Sequence, residues 1–144
     1  MKIIDKFADE YGFLSNFSPH GFICDRGINW KTSEHYYQAQ KEERNSIEMK
    51  AIMNAATPGK AKRLGKGRGP VNWQDLSIGV MEKAVRYKFD HNPDIKQKLL
   101  DTGYAQLVEG NTWGDTFFGQ VNGKGKNVLG KILMNLREKY RLEE

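Results

Sequence analysis

The apolar positions of this chain fall into short runs near the N-terminus and into helical spacing over most of the rest. IIDKF (3–7), FIC (22–24) and INW (28–30) are apolar enough for short strands. GFLSNFSPHG lies between the first two and reads as a loop by its Gly, Ser, Asn and Pro content, although it carries Phe13 and Phe17. A helix is predicted after Thr32 or Ser33, either of which can cap it, with Glu34 in its first turn. SIEMKAIMNAA follows, capped by Ser46. TPGKAKRLG places Thr57 as cap, Pro58 at the first helical position and Gly65 as stop. Asn72 and Asp75 open a long helix whose Leu76, Val80, Ala84 and Tyr87 share a face. Asn92-Pro93 starts another, ended by Gly103, and YAQLVE suits a strand. The last helix carries Val128, Leu129, Ile132, Leu133, Leu136 and Tyr140 as a core stripe. The expected fold is α+β, a mostly helical single domain (1–144) with a few short β-strands.

One stretch resists this pattern. Glu109–Asn127 is a glycine-rich span with no periodicity. An irregular segment of that length in a compact domain is usually functional or disordered, and Trp113, Phe117 and Phe118 argue against disorder. Asp115 sits among those aromatics. A carboxylate beside rings that can stack a planar base suits cleavage of a base–sugar bond, whose transition state is positively charged. An Asp that merely makes a turn is the equal alternative.

The helix after Thr32 poses the second question. Glu34, Tyr37, Gln38 and Lys41 are spaced i, i+3, i+4, i+7 and share a face. If that face meets the core, Glu34 is a partly buried carboxylate fit for acid or base work. If it meets solvent, Glu34 only favours the helix N-terminus.

Composition removes several classes. Cys24 is the only cysteine, so an internal disulfide and multi-cysteine metal sites are excluded, and its apolar surroundings make it a core residue. His20, His35 and His91 are scattered, and Ala39 breaks an HExxH pattern, so no metal is expected. Ser15 and Ser33 lack a GxSxG context. No apolar run approaches the ~18 residues of a membrane span, and mean hydropathy is −0.72. The N-terminus lacks the pattern of a signal peptide, so a cytoplasmic protein is expected. Net charge is +5, which fits an ordinary solvated surface first, and also a pocket for phosphorylated small molecules or, as the alternative, nucleic acid. The densest basic cluster is Lys60, Lys62, Arg63, Lys66 and Arg68. GKGKN precedes the last helix, where its amides with Lys124 or Lys126 would hold an anion or simply make a turn.

Taken together, FLSNF (13–17), TSEHYYQAQK (32–41), TPGKAKRLG (57–65), NWQDLSIGVMEKAVRYKF (72–89), LVEGNTWGDTFFG (107–119) and GKGKNVLGKILMNLRE (123–138) resemble the successive motifs of the NADAR, or YbiA-like, family. The resemblance implies an N-glycosidase. One branch of the family acts on phosphoribosylamino-pyrimidine intermediates of riboflavin synthesis, releasing ribose 5-phosphate and an aminopyrimidine. Another removes ADP-ribose from guanine in nucleic acid or nucleotides. By position, Glu34 matches the family's glutamate and Asp115 its loop aspartate. Phe118 stands where the family has tryptophan, which keeps a stacking face and loses the indole donor. Lys31 stands where proline is common.

The resemblance suggests that the base stacks on Phe118, with Trp30 or Trp113 nearby. Asp115 stabilises charge or orients water, and Glu34 is the general acid or base, its proton shared through Gln38 or Tyr37; the two carboxylate roles are interchangeable at this level. Asn16 and Ser15 are candidates for ribose hydroxyls, and Arg63, Lys66 and Lys126 for phosphate. Neither metal nor cofactor is called for, a lysine Schiff base is a conceivable variant, and a monomer is expected. A non-catalytic binder of nucleotide-like ligands is the third alternative.

Overall fold

A computed structural model describes residues 2–144. The described residues are about half helical, with four two-residue strands among them. Two compact units share it: residues 16–92 form one, and the N-terminal residues through Ser15 join Pro93–Glu144 in the other.

The unit of residues 16–92 is built on a hairpin and four helices. Strands β1 (Phe22–Ile23) and β2 (Asn29–Trp30) pair antiparallel, Phe22 opposite Trp30. Helix α1 (Ser33–Ala39) follows at once, then α2 (Ile47–Met53), α3 (Pro58–Gly65) and α4 (Trp73–Asp90). Local chemistry explains the starts. The side chains of Thr32, Ser46 and Thr57 each accept an amide three residues on, satisfying donors that a helix start leaves orphaned. Thr32, not Ser33, is the cap of α1. Asn72 precedes α4 and makes no side-chain cap hydrogen bond.

The core of this unit gathers Phe22, Cys24, Trp30, Tyr36, Ala39, Met49, Ile52, Ala55, Ala61 and Ala84. Cys24 is thus a core residue, as its apolar flanks suggest. Tyr36 packs edge-on to Trp30, ring centroids 5.4 Å apart, and Tyr87 lies edge-on to Tyr36. α1 is buried on every side, all of Ser33–Ala39 being buried. A solvent-facing Glu34 is therefore ruled out. The buried face of α4 runs through Ser77, Met81, Ala84, Val85, Lys88 and Phe89, not through Leu76, which is exposed. The expected stripe is rotated because α4 packs on α1, a partner that its own periodicity does not reveal.

In the other unit a 3-10 helix, Asp9–Leu14, follows strand β0 (Ile3–Ile4), which pairs parallel with β3 (Gln106–Leu107). Helices α5 (Pro93–Asp101) and α6 (Val128–Glu143) pack together, and Gly103 takes the left-handed conformation (φ 63°) expected just past α5. The α6 stripe is buried as expected at Leu129, Ile132, Leu133, Leu136 and Tyr140. The strands are shorter than the apolar runs that announce them: only two residues of IIDKF, and two of YAQLVE, pair.

Candidate active site

Four residues of TSEHYYQAQK converge on one side of α1. Gln38 Nε2 donates to Glu34 Oε2 at 2.6 Å, one turn apart. Both are buried, Glu34 at 7% and Gln38 at 5% exposure. Tyr37 Oη accepts from Trp73 Nε1 at 3.2 Å, and the two rings meet edge-on with centroids 5.4 Å apart. Lys41 places its ammonium over both rings, 5.7 Å from Tyr37 and 6.0 Å from Trp73, and donates to the Gly65 carbonyl at 3.0 Å. Burial lowers the Lys41 pKa, while the charges of Glu34 and Glu42 act to raise it. The Glu34 carboxylate thus accepts an N–H from Gln38, and its charge acts on the Lys41 ammonium just past the end of α1.

Asn16 is tied to the start of α1. The Asn16 carbonyl accepts from the Glu34 amide at 3.2 Å, and Asn16 Oδ1 accepts from Ser33 Oγ at 2.8 Å. Asn16 Nδ2 lies 3.3 Å from Met81 Sδ. His35, buried beneath, bonds through Nδ1 to Thr32 Oγ1 at 2.7 Å and through Nε2 to the Ala55 carbonyl at 2.9 Å. A carbonyl only accepts, so Nε2 carries the proton and Nδ1 takes the Thr32 hydroxyl hydrogen. Burial lowers the His35 pKa.

Trp30 is 2% exposed and packs edge-on to Tyr36 in the core. Trp73 is the tryptophan beside Tyr37, and it is not among the residues singled out from the sequence. Lys41 was visible there as the fourth member of the α1 face; Trp73 stands 36 residues from Tyr37 in the chain, and no local pattern joins them. Arg63 and Lys66 are exposed on α3 and at its end. A groove of about 760 Å³ lies along the hairpin, lined by Phe22, Ile28, Lys31 and His91 among others, and does not include Glu34.

In the other unit, the long loop is ordered by its own polar groups. Asp115 Oδ1 accepts from the amides of Phe117 at 3.0 Å and Phe118 at 2.9 Å, an Asx turn. Asn111 clamps the Asp115 backbone from both sides, donating to its carbonyl at 2.9 Å and accepting from its amide at 3.0 Å. The carbonyls of Thr116, Gly119, Phe117 and Phe118 accept from the amides of Lys126, Asn127, Val128 and Leu129 in turn. The amides of Lys126 and Asn127 are among those that GKGKN was expected to offer an anion; the loop takes them up, and the Val121 carbonyl takes that of Lys124. The chain can pass so closely because Gly125 has no Cβ: one there would overlap the Gly119 carbonyl, and its φ of 140° disfavours any other residue. Phe117 and Phe118 meet edge-on at 4.9 Å, and Lys126 lies over Phe117 at 5.7 Å. Trp113 is 60% exposed. Ser15 closes the 3-10 turn through its amide to Gly12.

Among the described residues no helix is long and apolar enough to cross a membrane, and no cluster of three His, Cys, Asp or Glu is arranged to hold a metal.

Comparison with known proteins gives this arrangement its context. The NADAR domain family matches residues 4–141, a span that takes in both units. The chain is 41% identical over 143 residues to N-glycosidase YbiA of Shigella flexneri serotype 5b, covering 95% of this chain and 86% of that protein. It is 38% identical over 134 residues to the riboflavin biosynthesis protein VVA0006 of Vibrio vulnificus, covering 90% of this chain and 36% of that longer protein. The solved structure of Escherichia coli YbiA superposes with a TM-score of 0.85 at 40% identity, over 99% of this chain and 86% of that one. With a family match across nearly its whole length and this degree of identity to named N-glycosidases, the chain belongs to the NADAR domain family and is an N-glycosidase.

Proposed function

We propose that the chain hydrolyses the N-glycosidic bond of a phosphoribosylamino-pyrimidine, releasing ribose 5-phosphate and an aminopyrimidine, with Glu34 as its proton-transfer group. The observation that carries this is the buried Glu34 carboxylate, held by Gln38 at 2.6 Å. A carboxylate fixed in that way accepts a proton from water with little reorganisation. Water adds to the anomeric carbon, its proton passes to Glu34, and the C–N bond breaks with its electron pair on nitrogen. Glu34 then returns the proton to that nitrogen. The substrate class is supported by the riboflavin biosynthesis role in the name of the Vibrio relative.

Asp115 remains proposed as a charge-stabilising group, and Phe118 and Trp113 as stacking groups, on the resemblance of their motif. Arg63, Lys66 and Lys126 remain proposed for phosphate, and Asn16 and Ser15 for ribose. The Asx turn supports Asp115 equally as a structural residue, and its substitution by Asn decides between the two.

A second substrate, ADP-ribosylated guanine, draws support from one feature. Lys60, Lys62, Arg63 and Lys66 are all exposed on and just after α3, a basic strip suited to a polyanion. Incubation with a phosphoribosylamino-pyrimidine and, separately, with ADP-ribosylated guanosine or DNA tests both. Release of ribose 5-phosphate from the first only is the expected result. Release of ADP-ribose from the second only, with steep salt dependence on DNA, overturns the pyrimidine assignment.

A further inference from the structure

Lys41 is a half-buried lysine whose ammonium makes a single hydrogen bond among the described residues, to the Gly65 carbonyl. An ammonium carries three donors, so two of them are left for solvent or a ligand. They lie at the edge of an aromatic corner made by Tyr37 and Trp73. Trp73 is only partly buried, and Tyr37 Oη holds its indole by accepting from Nε1. Glu34 is one turn before Gln38 on this same face. What would complete the corner is a flat ring carrying an oxygen acceptor. A phosphate would satisfy the ammonium too, but it would bring its charge beside Glu34, and like charges at short range repel. A neutral carbonyl oxygen meets the same need without that cost.

We propose that Trp73 and Lys41 seat the leaving heterocycle, the ring lying against the indole and its carbonyl oxygen accepting from Lys41 Nζ, with Tyr37 positioning the indole. This rests on the proposed pyrimidine substrate and names the part of the protein that recognises its ring. It also has a catalytic consequence. When the bond from the anomeric carbon to nitrogen breaks, the electron pair left on nitrogen is conjugated to the ring carbonyl, and an ammonium at that oxygen stabilises the developing charge.

The test uses the free aminopyrimidine product and ribose 5-phosphate as separate ligands of the full chain. Trp73→Ala is expected to weaken aminopyrimidine binding roughly tenfold, the usual scale of one stacked base. Lys41→Met is expected to weaken it similarly and to lower kcat on the intact substrate. Inhibition by ribose 5-phosphate stays at the wild-type level in both. Trp73→Phe, which keeps a ring and loses the bond to Tyr37, restores most of the affinity. Should Trp73→Ala fail to fold, Lys41→Met with Trp73→Phe as control still decides the matter. Unchanged aminopyrimidine affinity in Lys41→Met, or an equal loss toward ribose 5-phosphate, overturns the proposal. The two failures are separable. Wild-type turnover of the pyrimidine substrate with unaltered variants defeats only the seat; ring binding that depends on Lys41 and Trp73, without wild-type turnover, supports the seat and defeats the substrate assignment.

Discussion

Gln38 donates to Glu34 at 2.6 Å across one turn of α1, and both side chains are buried. A buried carboxylate without such a donor would carry a large desolvation cost. Gln38 therefore sets the orientation of Glu34. Glu34→Gln is expected to reduce kcat by about 10²–10⁴, the range of a lost acid–base group. Gln38→Leu keeps the volume and removes the donor. It is expected to lower kcat by about tenfold through Glu34, with a pH–rate profile whose limb moves toward higher pH, since the carboxylate loses a stabilising bond. Steady-state kinetics across pH check both; an unmoved limb in Gln38→Leu would show that Gln38 does not tune Glu34.

Asp115 offers a cleaner separation of structure from chemistry. Its Oδ1 holds the amides of Phe117 and Phe118. Asparagine keeps that oxygen, so Asp115→Asn is expected to fold normally. If the carboxylate stabilises charge, kcat falls by about 10²–10³. Asp115→Ala loses the turn as well and is expected to lower stability by about 1–3 kcal/mol. Thermal melting and turnover of the pair distinguish the roles: full activity in Asp115→Asn marks a turn residue only.

His35 makes stability depend on pH. Burial holds its folded pKa below the usual 6.5. Near and below that value the unfolded chain binds more protons than the folded one, so stability rises with pH. The contribution is intact above about pH 6.5 and is lost as pH falls from there toward the folded pKa. Denaturant titrations between pH 7 and 5 are expected to show this decline, and His35→Gln, which cannot titrate, flattens it while lowering stability at pH 7 by removing a bond to Ala55 or Thr32.

Much of this was legible in the chain because it is local. Thr32, Ser46 and Thr57 announce their helices, since a cap and the amide it accepts are three residues apart. The Glu34, Tyr37 and Gln38 face follows from helical periodicity alone. Trp73 was not legible, because its place beside Tyr37 depends on how α4 crosses α1. Nor was the fate of the α6 amides. They are consumed by carbonyls of residues 116–119, and nothing in GKGKN states that a neighbouring loop will supply acceptors. Trp30 is the converse case: its place just before α1 in the chain makes it a stacking candidate, and only packing shows how deeply it is buried.

Lys88 is the most buried cation of the chain's described residues, at 1% exposure on the inner face of α4. Burial brings its pKa down to about 7. The unfolded chain holds that proton to about pH 10.4, so between about 7 and 10.4 it binds more protons than the folded one and stability rises with pH. Lys88→Met retains the stem and removes the ionisable head. It is expected to be at least as stable as wild type at pH 7.5 and to lose the rise above pH 7. Thermal melts of both proteins from pH 7 to 10 measure this; a Lys88→Met variant less stable at every pH would show that the ammonium is well compensated where it sits.

Gly65 tests whether the Glu34–Gln38 pair acts as a unit. A Cβ at residue 65 would overlap Gln38 Oε1 and come within 3.1 Å of Gln38 Cβ. Gly65 is the last residue of α3 and is not among the positive-φ glycines, so alanine there carries no backbone strain. The collision falls on the end of a side chain, which can turn away, and turning away breaks its bond to Glu34. Gly65→Ala is therefore expected to fold, with a stability change of about 1 kcal/mol or less, and to lose kcat to the extent that Gln38→Leu does. Gln38→Ala removes the obstructing group. In that background Gly65→Ala is expected to cost no further activity, a coupling that a double-mutant cycle reads directly. Additive losses would mean that Gly65 matters for some reason other than the room it leaves for Gln38.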